Sequence, residues 1–198
     1  MIDENLTAPI NIHTPNKVQE VFARSACLHG RTEIDAALDQ MAIEMSAELE
    51  DKNPLFLCVL IGGIVPLGNL LPRLHFPLEL DYVHATRYGD ATSGGELKWI
   101  AKPTHSLHGR TIVVVDDILD GGITLAGIVD YCMQNGAEKV YTAVLVDKKD
   151  ARLETGVQVA DFTGLEVENH FVFGYGLDYK NYLRNIPFDF LKNGELKL

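Results

Sequence analysis

Apolar residues recur along this chain at two different spacings, and each spacing predicts a different element. Between residues 32 and 51 they recur every three or four positions, which predicts an amphipathic helix from a Thr32 N-cap to about Asp51. Leu55 to Ile61 and Thr111 to Val115 are instead almost uninterrupted apolar runs. Such runs are typical of strands that are buried on both faces of a sheet.

Cap and turn residues predict the remaining elements. Pro66 favours a helix start, with an end near Arg73, and Thr124 to Asn135 is an amphipathic helix with Gly136 as its C-cap. Further strands are expected at Leu80–Thr86, Glu96–Lys102, Lys139–Val146, Val157–Phe162 and Phe171–Phe173, and a short helix or strand at 17–24. Strands that alternate with helices indicate an α/β protein with a mainly parallel sheet.

Composition and charge narrow the class of protein. The 198 residues are 46% hydrophobic and 23% charged, which fits a single globular domain over 1–198. A net charge of −11 argues against nucleic acid as a partner, because binding to a duplex relies on Lys and Arg. Small phosphorylated ligands remain open, since helix N-termini and divalent cations hold them.

Other features of the chain favour a cytoplasmic protein without a membrane partner. Cys27, Cys58 and Cys132 form no close pair, and Cys58 and Cys132 are expected as buried free thiols in a reducing compartment. Residues 1–9 are polar and unlike a signal peptide. The longest apolar stretch, 55–71, is broken by glycine, proline and asparagine, so it is a poor membrane span.

Candidate chemistry is concentrated in residues 112–124. Asp116 and Asp117 follow an apolar strand, at the edge where parallel sheets bind ligands. Asp120-Gly121-Gly122-Ile123-Thr124 then opens a helix, whose first amides face an anion. Carboxylates for hydroxyl groups and amides for phosphate together suit a ribose phosphate. A Walker-type loop is excluded, because no Gly-Lys-Ser/Thr is present.

This stretch resembles the phosphoribosyl-diphosphate (PRPP) signature of type I phosphoribosyltransferases, and more narrowly their hypoxanthine-guanine branch. The resemblance implies a central, mainly parallel sheet flanked by helices, a small hood and a flexible lid loop at about 86–98. By this resemblance Asp116 and Asp117 hold the ribose hydroxyls. Residues 120–124 form the 5′-phosphate loop, and Asp120 is the general base or acid at N7 of a 6-oxopurine.

The resemblance extends through residues 55–184. Leu60-Ile61-Gly62-Gly63 resembles the pyrophosphate loop, with a cis bond at Leu60–Ile61. The other implied roles are pyrophosphate contacts for Ile61, Gly62 and Arg184, lid positions for Arg87 and Tyr88, purine contacts for Lys148, Phe171, Val172 and Asp178, and a Mg²⁺ contact for Asp178, partly through water. The first 50 residues match the family weakly.

Three residues depart from the family pattern. Ile61 stands where Lys or Arg is common, Gly121 where Ser or Thr is usual, and Asp116 where the acid is often Glu. The first two changes are expected to weaken PRPP binding. They do not remove the chemistry.

The implied activity is Mg²⁺-dependent transfer of the phosphoribosyl group from PRPP to hypoxanthine or guanine, in a homodimer or homotetramer. The alternatives left open are a xanthine- or uracil-using enzyme and a non-catalytic PRPP or nucleotide sensor. A plain structural role is the rival for single residues: core packing for Phe171, surface charge for Lys148 and Arg184, and a turn for Asp178. The seven histidines are scattered and predict no zinc site.

Overall fold

The fold is that of a computed structural model, which describes residues 16–87 and 97–187 and the backbone of the strand at 189–191. The helices are α1 (Asn16–Arg24), α2 (Arg31–Leu49), α3 (Ile64–Leu70) and α4 (Ile123–Gln134). A 3₁₀ turn, Leu71–Arg73, follows α3. The strands are β1 (Ala26–His29), β2 (Leu55–Val59), β3 (Glu79–Arg87), β4 (Leu97–Ala101), β5 (Thr111–Leu119), β6 (Lys139–Lys148), β7 (Phe162–Val167), β8 (Val172–Phe173) and β9 (Asp189–Leu191).

Six strands form the main sheet in the order β4-β3-β2-β5-β6-β7. Every pairing is parallel except that of β3 with β4. From β2 the chain continues to β3 on one side, whereas β5 pairs with the other side of β2. The strand order therefore reverses between β2 and β5, which is where open α/β sheets bind ligands.

Two apolar layers cover the faces of this sheet. Phe56 and Cys58 pack with α2 and α3, while Leu55, Leu57 and Val59 pack on the face of α4. Alternate residues of β2 thus point into different layers. This explains why the strand reads as a continuous apolar run and not as an alternating one.

A second, three-stranded sheet lies apart from the main one, in the order β1-β9-β8. Its pairings are antiparallel. Phe173 of β8 packs with Val18 of α1 and with Tyr179 and Leu183 of the turns that follow β8. The expected hood is therefore built from both ends of the chain.

Most predicted elements are confirmed, but several boundaries were wrong. Thr32 does not cap α2. Gly30 is the N-cap, and its N–H donates to Glu33 Oε2 at 2.8 Å. The helix predicted from Pro66 begins two residues earlier, at Ile64. The segment 17–24 is helical, and Cys58 and Cys132 are buried as predicted.

Two strand predictions need larger corrections. The strand predicted at 157–162 begins only at Phe162, because the preceding residues form a loop in which Val159 is 77% exposed. The backbone N–H of Val157 in this loop donates to Gly122 O at 3.1 Å. Strand β5 extends to Leu119, so Asp116 and Asp117 lie inside the carboxyl-terminal half of the strand and do not follow it.

Candidate active site

A cavity of about 370 Å³ opens at the carboxyl ends of β2 and β5. Its lining includes these residues predicted from the sequence: Ile61, Gly62, Asp116, Asp117, Asp120, Gly121, Gly122, Ile123, Thr124, Lys148, Phe171, Val172, Asp178 and Arg184. Residues more than a hundred positions apart in the chain therefore meet in one place, because neighbouring parallel strands end at the same edge.

The proposed phosphate loop, 120–124, joins β5 to the N-terminus of α4. Gly122 is the N-cap of α4 and has φ +78°, a left-handed conformation that side chains other than glycine rarely adopt. A Cβ atom on Gly122 would also stand 2.5 Å from Val157 O. The loop is thus a tight turn whose following amides are available to an anion at the helix start.

Asp116 and Asp117 are adjacent acidic residues that both line the cavity. Burial, followed by the negative charge of Asp117, raises the pKa of Asp116 well above its ordinary value. Burial also raises the pKa of Asp117, although a hydrogen bond with Asp116 and the positive charge of Arg184 act in the opposite direction. The two side chains therefore favour a ligand that brings hydroxyl donors or positive charge.

The segment after β2 approaches these acids very closely. The peptide bond Leu60–Ile61 is cis, as expected. A Cβ atom on Gly62 would stand 1.9 Å from Asp117 Oδ2, and one on Gly176 would stand 2.4 Å from Gly62 O. Any other residue at position 62 would require the Asp117 carboxylate or this segment to move. The side chain of Ile61 is 51% exposed beside the cavity and brings no charge to it.

Lys148, at the end of β6, reaches across to the phosphate loop. Its Nζ lies 2.9 Å from Asp120 Oδ2, with side chains that are 12% and 53% exposed. Lys148 is therefore a buried stem with its ammonium group at the cavity, and not a solvated surface charge. A cation next to a partly exposed carboxylate can donate to one atom of a ligand while the carboxylate accepts a proton from another.

Another part of the cavity is lined by Phe171, which directly precedes β8, by Val172 of β8 and by residues of the turns after it. Phe171 is 47% exposed, so it is not a core residue, and its ring meets that of Tyr179 edge to face at 6.0 Å. Val172 is buried and also lines the cavity. An exposed aromatic face beside a cavity is suited to stacking with a flat ring.

Arg184 and Asp178 are held together in turns and not in a helix. Arg184 Nη2 donates to Asp178 Oδ1 at 2.6 Å, and Nη1 donates to Gly176 O at 2.6 Å and lies 3.8 Å from Asp117 Oδ2. Asp178 Oδ2 accepts the N–H of Asn181 at 2.8 Å. Both residues are thus fixed, and Arg184 places positive charge beside the acids.

Of the predicted lid residues Arg87 and Tyr88, the structure describes only the first. Arg87 is the last residue of β3, and Tyr88 and most of the lid interval lie outside the described residues.

The loop at 149–158 was not predicted to belong to the site. Its Arg152 donates to Leu119 O at 2.7 Å and to Asp120 O at 2.6 Å. Its acceptors are backbone carbonyls, which have no signature in a sequence.

The described residues lack two kinds of feature. They contain no group of three or more His, Cys, Asp or Glu side chains arranged to hold a metal ion. In the same part of the chain, no helix has the length and apolar character needed to cross a membrane.

Similarity to known proteins shows the family to which this chain belongs. A family model described as phosphoribosyl transferase domain matches residues 30–180. Hypoxanthine-guanine phosphoribosyltransferase of Bacillus subtilis (strain 168) is 35% identical over 157 residues, covering 79% of this chain and 86% of that protein. The chain belongs to the phosphoribosyltransferase family, and within it to the hypoxanthine-guanine branch.

Two further comparisons differ in their extent. The bifunctional protein TilS/HprT of Listeria innocua is 36% identical over 174 residues, or 87% of this chain, but the chain spans only 26% of that longer protein. The crystal structure of a hypoxanthine phosphoribosyltransferase from Staphylococcus aureus aligns with a TM-score of 0.81 at 22% identity, over 90% of this chain and 96% of that one. This likeness shows a shared fold.

Proposed function

We propose that this chain is a purine-salvage enzyme that transfers the phosphoribosyl group of PRPP to N9 of hypoxanthine or guanine. The C1′–O bond to pyrophosphate breaks, the C1′–N9 bond forms, and the base loses one proton, which gives IMP or GMP and pyrophosphate. The observation that carries the proposal is the Lys148–Asp120 pair, 2.9 Å apart, in a cavity that the exposed residue Phe171 also lines.

The ribose phosphate is expected at the junction of β5 and α4. Amides of 121–124 at the helix start would hold the 5′-phosphate, and the hydroxyl of Thr124 would add a donor. The carboxylates of Asp116 and Asp117 would accept from the ribose hydroxyls, and their raised pKa values mean that such donors relieve an unfavourable pair. Gly121 offers no side-chain donor to the phosphate.

Proton transfer to Asp120 is the central chemical step. When N9 attacks C1′, Asp120 would take the proton from N7, because a positioned carboxylate lowers the barrier to such a transfer. Negative charge then grows on O6, and Lys148 would donate to that oxygen. Phe171 would stack on the purine, and the backbone of Val172 would contact its edge.

Pyrophosphate and Mg²⁺ are expected beside the Arg184–Asp178 pair. Arg184 and the amides after β2 would contact pyrophosphate, and Asp178 would hold Mg²⁺, which neutralises charge on the leaving group when bound. Because Asp178 Oδ1 and Oδ2 already accept hydrogen bonds, contact through water fits better than direct ligation.

A panel of bases tests the proposal. Hypoxanthine and guanine should each release pyrophosphate from PRPP in the presence of Mg²⁺. Adenine should react poorly, since Lys148 cannot accept a hydrogen bond from a 6-amino group. Xanthine and uracil in the same panel test the alternative enzymes. Failure to release pyrophosphate with any base, combined with PRPP binding, would instead favour the sensor.

A further inference from the structure

Arg152 makes an unusually dense set of contacts outside the cavity. Its Nη1 donates to Leu119 O at 2.7 Å, to Asp120 O at 2.6 Å and to Lys148 O at 3.1 Å. Its Nε donates to Gln158 O at 3.0 Å, and its Nη2 forms an ion pair with Asp147. The side chain is 15% exposed, so these contacts are largely shielded from water.

Apart from Gln158 O, these acceptors belong to the two chain segments that carry the reacting side chains. Leu119 O and Asp120 O are the backbone on which the Asp120 carboxylate and the phosphate loop are built. Lys148 O and the Asp147 carboxylate lie at the end of β6, where Lys148 begins its reach across the cavity. One guanidinium group therefore joins the backbone at 119–120 to the side chain of Asp147 and the backbone of Lys148.

The rest of the loop that carries Arg152 also packs on the phosphate loop. The N–H of Leu153 donates to Gly121 O at 3.1 Å, and the N–H of Val157 donates to Gly122 O at 3.1 Å. A Cβ atom on Gly156 would stand 2.1 Å from Gly121 O. The segment 149–158 is thus a close support for residues 120–122.

We propose that Arg152 is a positioning residue, which sets the distance between Asp120 and Lys148 and the direction of the phosphate-loop amides. This role rests on the function proposed above, since it concerns the same proton transfer and the same phosphate. The planar guanidinium is suited to it, because several N–H groups in one rigid fork reach acceptors on both segments at once. A lysine ammonium group keeps the charge beside Asp147 but lacks that fork.

The test compares variants within this one loop. Arg152→Gln removes the fork, Arg152→Lys keeps only the charge, and Asp147→Asn loosens the guanidinium without removing it. The control is Gln158→Leu, which removes side-chain hydrogen bonds to Leu153 O and Gly156 O but none to 119–120 or 148. Single-turnover rates with hypoxanthine and PRPP are measured beside the KM for PRPP and hydrogen exchange of the 119–125 segment.

Arg152→Gln is expected to slow the single-turnover rate by about 100-fold, the usual effect of displacing reacting groups by about 1 Å. The single-turnover rate of Arg152→Lys should exceed that of Arg152→Gln by less than tenfold. The rate of Asp147→Asn should lie between those of Arg152→Gln and the wild type. Exchange at 119–125 should quicken in Arg152→Gln, while Gln158→Leu stays within about threefold of the wild-type rate.

Two outcomes would overturn the positioning role. One is a single-turnover rate of Arg152→Gln and Arg152→Lys that equals that of Gln158→Leu, even if thermal stability falls. The other is unchanged exchange at 119–125 in both Arg152 variants. A wild-type chain that makes no nucleotide with any base refutes the proposed function separately, and the exchange measurement still decides whether Arg152 orders the loop.

Discussion

Lys148 Nζ lies 2.9 Å from Asp120 Oδ2, although 28 residues separate the two in the chain. Strands β5 and β6 are parallel neighbours, with Leu119 paired to Asp147, so their ends bring the next residues together. In the absence of substrate, the lysine thus orients the carboxylate that is expected to accept the proton. A purine that binds there would contact both groups with two different atoms.

Lys148→Gln should reduce the discrimination between 6-oxo and 6-amino purines. Glutamine is uncharged and can accept as well as donate, so kcat/KM for hypoxanthine should fall by about 100-fold, the size of a lost charge-assisted contact. The value for adenine should change little. Lys149→Gln is the matched control, because Lys149 is 57% exposed and pairs with Glu166. Equal losses for both bases would contradict the role of Lys148.

Gly62→Ala should abolish most of the activity. The new Cβ atom would stand 1.9 Å from Asp117 Oδ2, so either the carboxylate or the segment after β2 must move. A displacement of about 1 Å at this point should cost about 100-fold in kcat/KM for PRPP. Gly68→Ala provides the control, since that Cβ meets nothing within 4 Å and should stabilise α3 by about 1 kcal/mol with normal activity. Normal turnover in Gly62→Ala would show that this close approach is unimportant.

Asp116→Asn should make the free protein more stable and less active. The pKa of Asp116 is raised in the folded state, so at neutral pH its ionised form costs stability, and asparagine removes that cost. We expect a gain of about 1–2 kcal/mol at pH 7, with the KM for PRPP raised at least about tenfold. The gain should shrink as the pH falls through the raised pKa towards the ordinary value. Denaturant unfolding at several pH values measures it, with exposed Asp130→Asn as the control, and a loss of stability at pH 7 would contradict the prediction.

Asp81 should show the opposite dependence on pH. Burial raises its pKa, but hydrogen bonds from His105 and from neighbouring backbone N–H groups outweigh burial and hold the pKa well below its ordinary value. Its contribution is therefore present above pH 4 or so and is lost as the pH falls through the depressed pKa.

Asp81→Asn is accordingly expected to lose about 3 kcal/mol at pH 7, because a buried carboxylate with several donors is removed. The difference from the wild type should narrow below about pH 4, because the carboxylate of the unfolded wild-type chain begins to be protonated there while that of the folded chain stays ionised. Unfolding in urea at pH 7 and pH 3 measures both values. Asp39→Asn, at a side chain that is 65% exposed, should change stability by less than about 1 kcal/mol. A difference that stays constant with pH would show that charge on Asp81 is not the cause.

The pattern of the sequence predicted those parts of the molecule in which local chemistry and tertiary packing agree. Strands β2 and β5 were recognised because both of their faces are buried, and the loop at 120–124 because its glycines and helix start are adjacent in the chain. The strand at 157–162 was wrong because its apolar residues belong to a loop that packs on Gly122. Arg152 could not be recognised, since its main acceptors are carbonyl groups of any residue type.

The surroundings of Gly121 are a further example of a contact that the sequence could not predict. A Cβ atom there would stand 3.2 Å from Leu153 Cδ1, so the side chain of Leu153 already covers the position from the neighbouring loop. The sequence shows that a hydroxyl is missing at 121. Only the structure shows which side chain lies there instead.

The single-turnover rate of Asp120→Asn with hypoxanthine and PRPP tests the central claim most directly. This measurement reports the chemical step and is not masked by slow product release. Asparagine keeps the shape of the side chain but cannot accept the N7 proton, so the rate should fall by about 10²–10⁴-fold while PRPP binding stays near normal. A rate close to that of the wild type would contradict the assignment of Asp120 as the group that takes the proton.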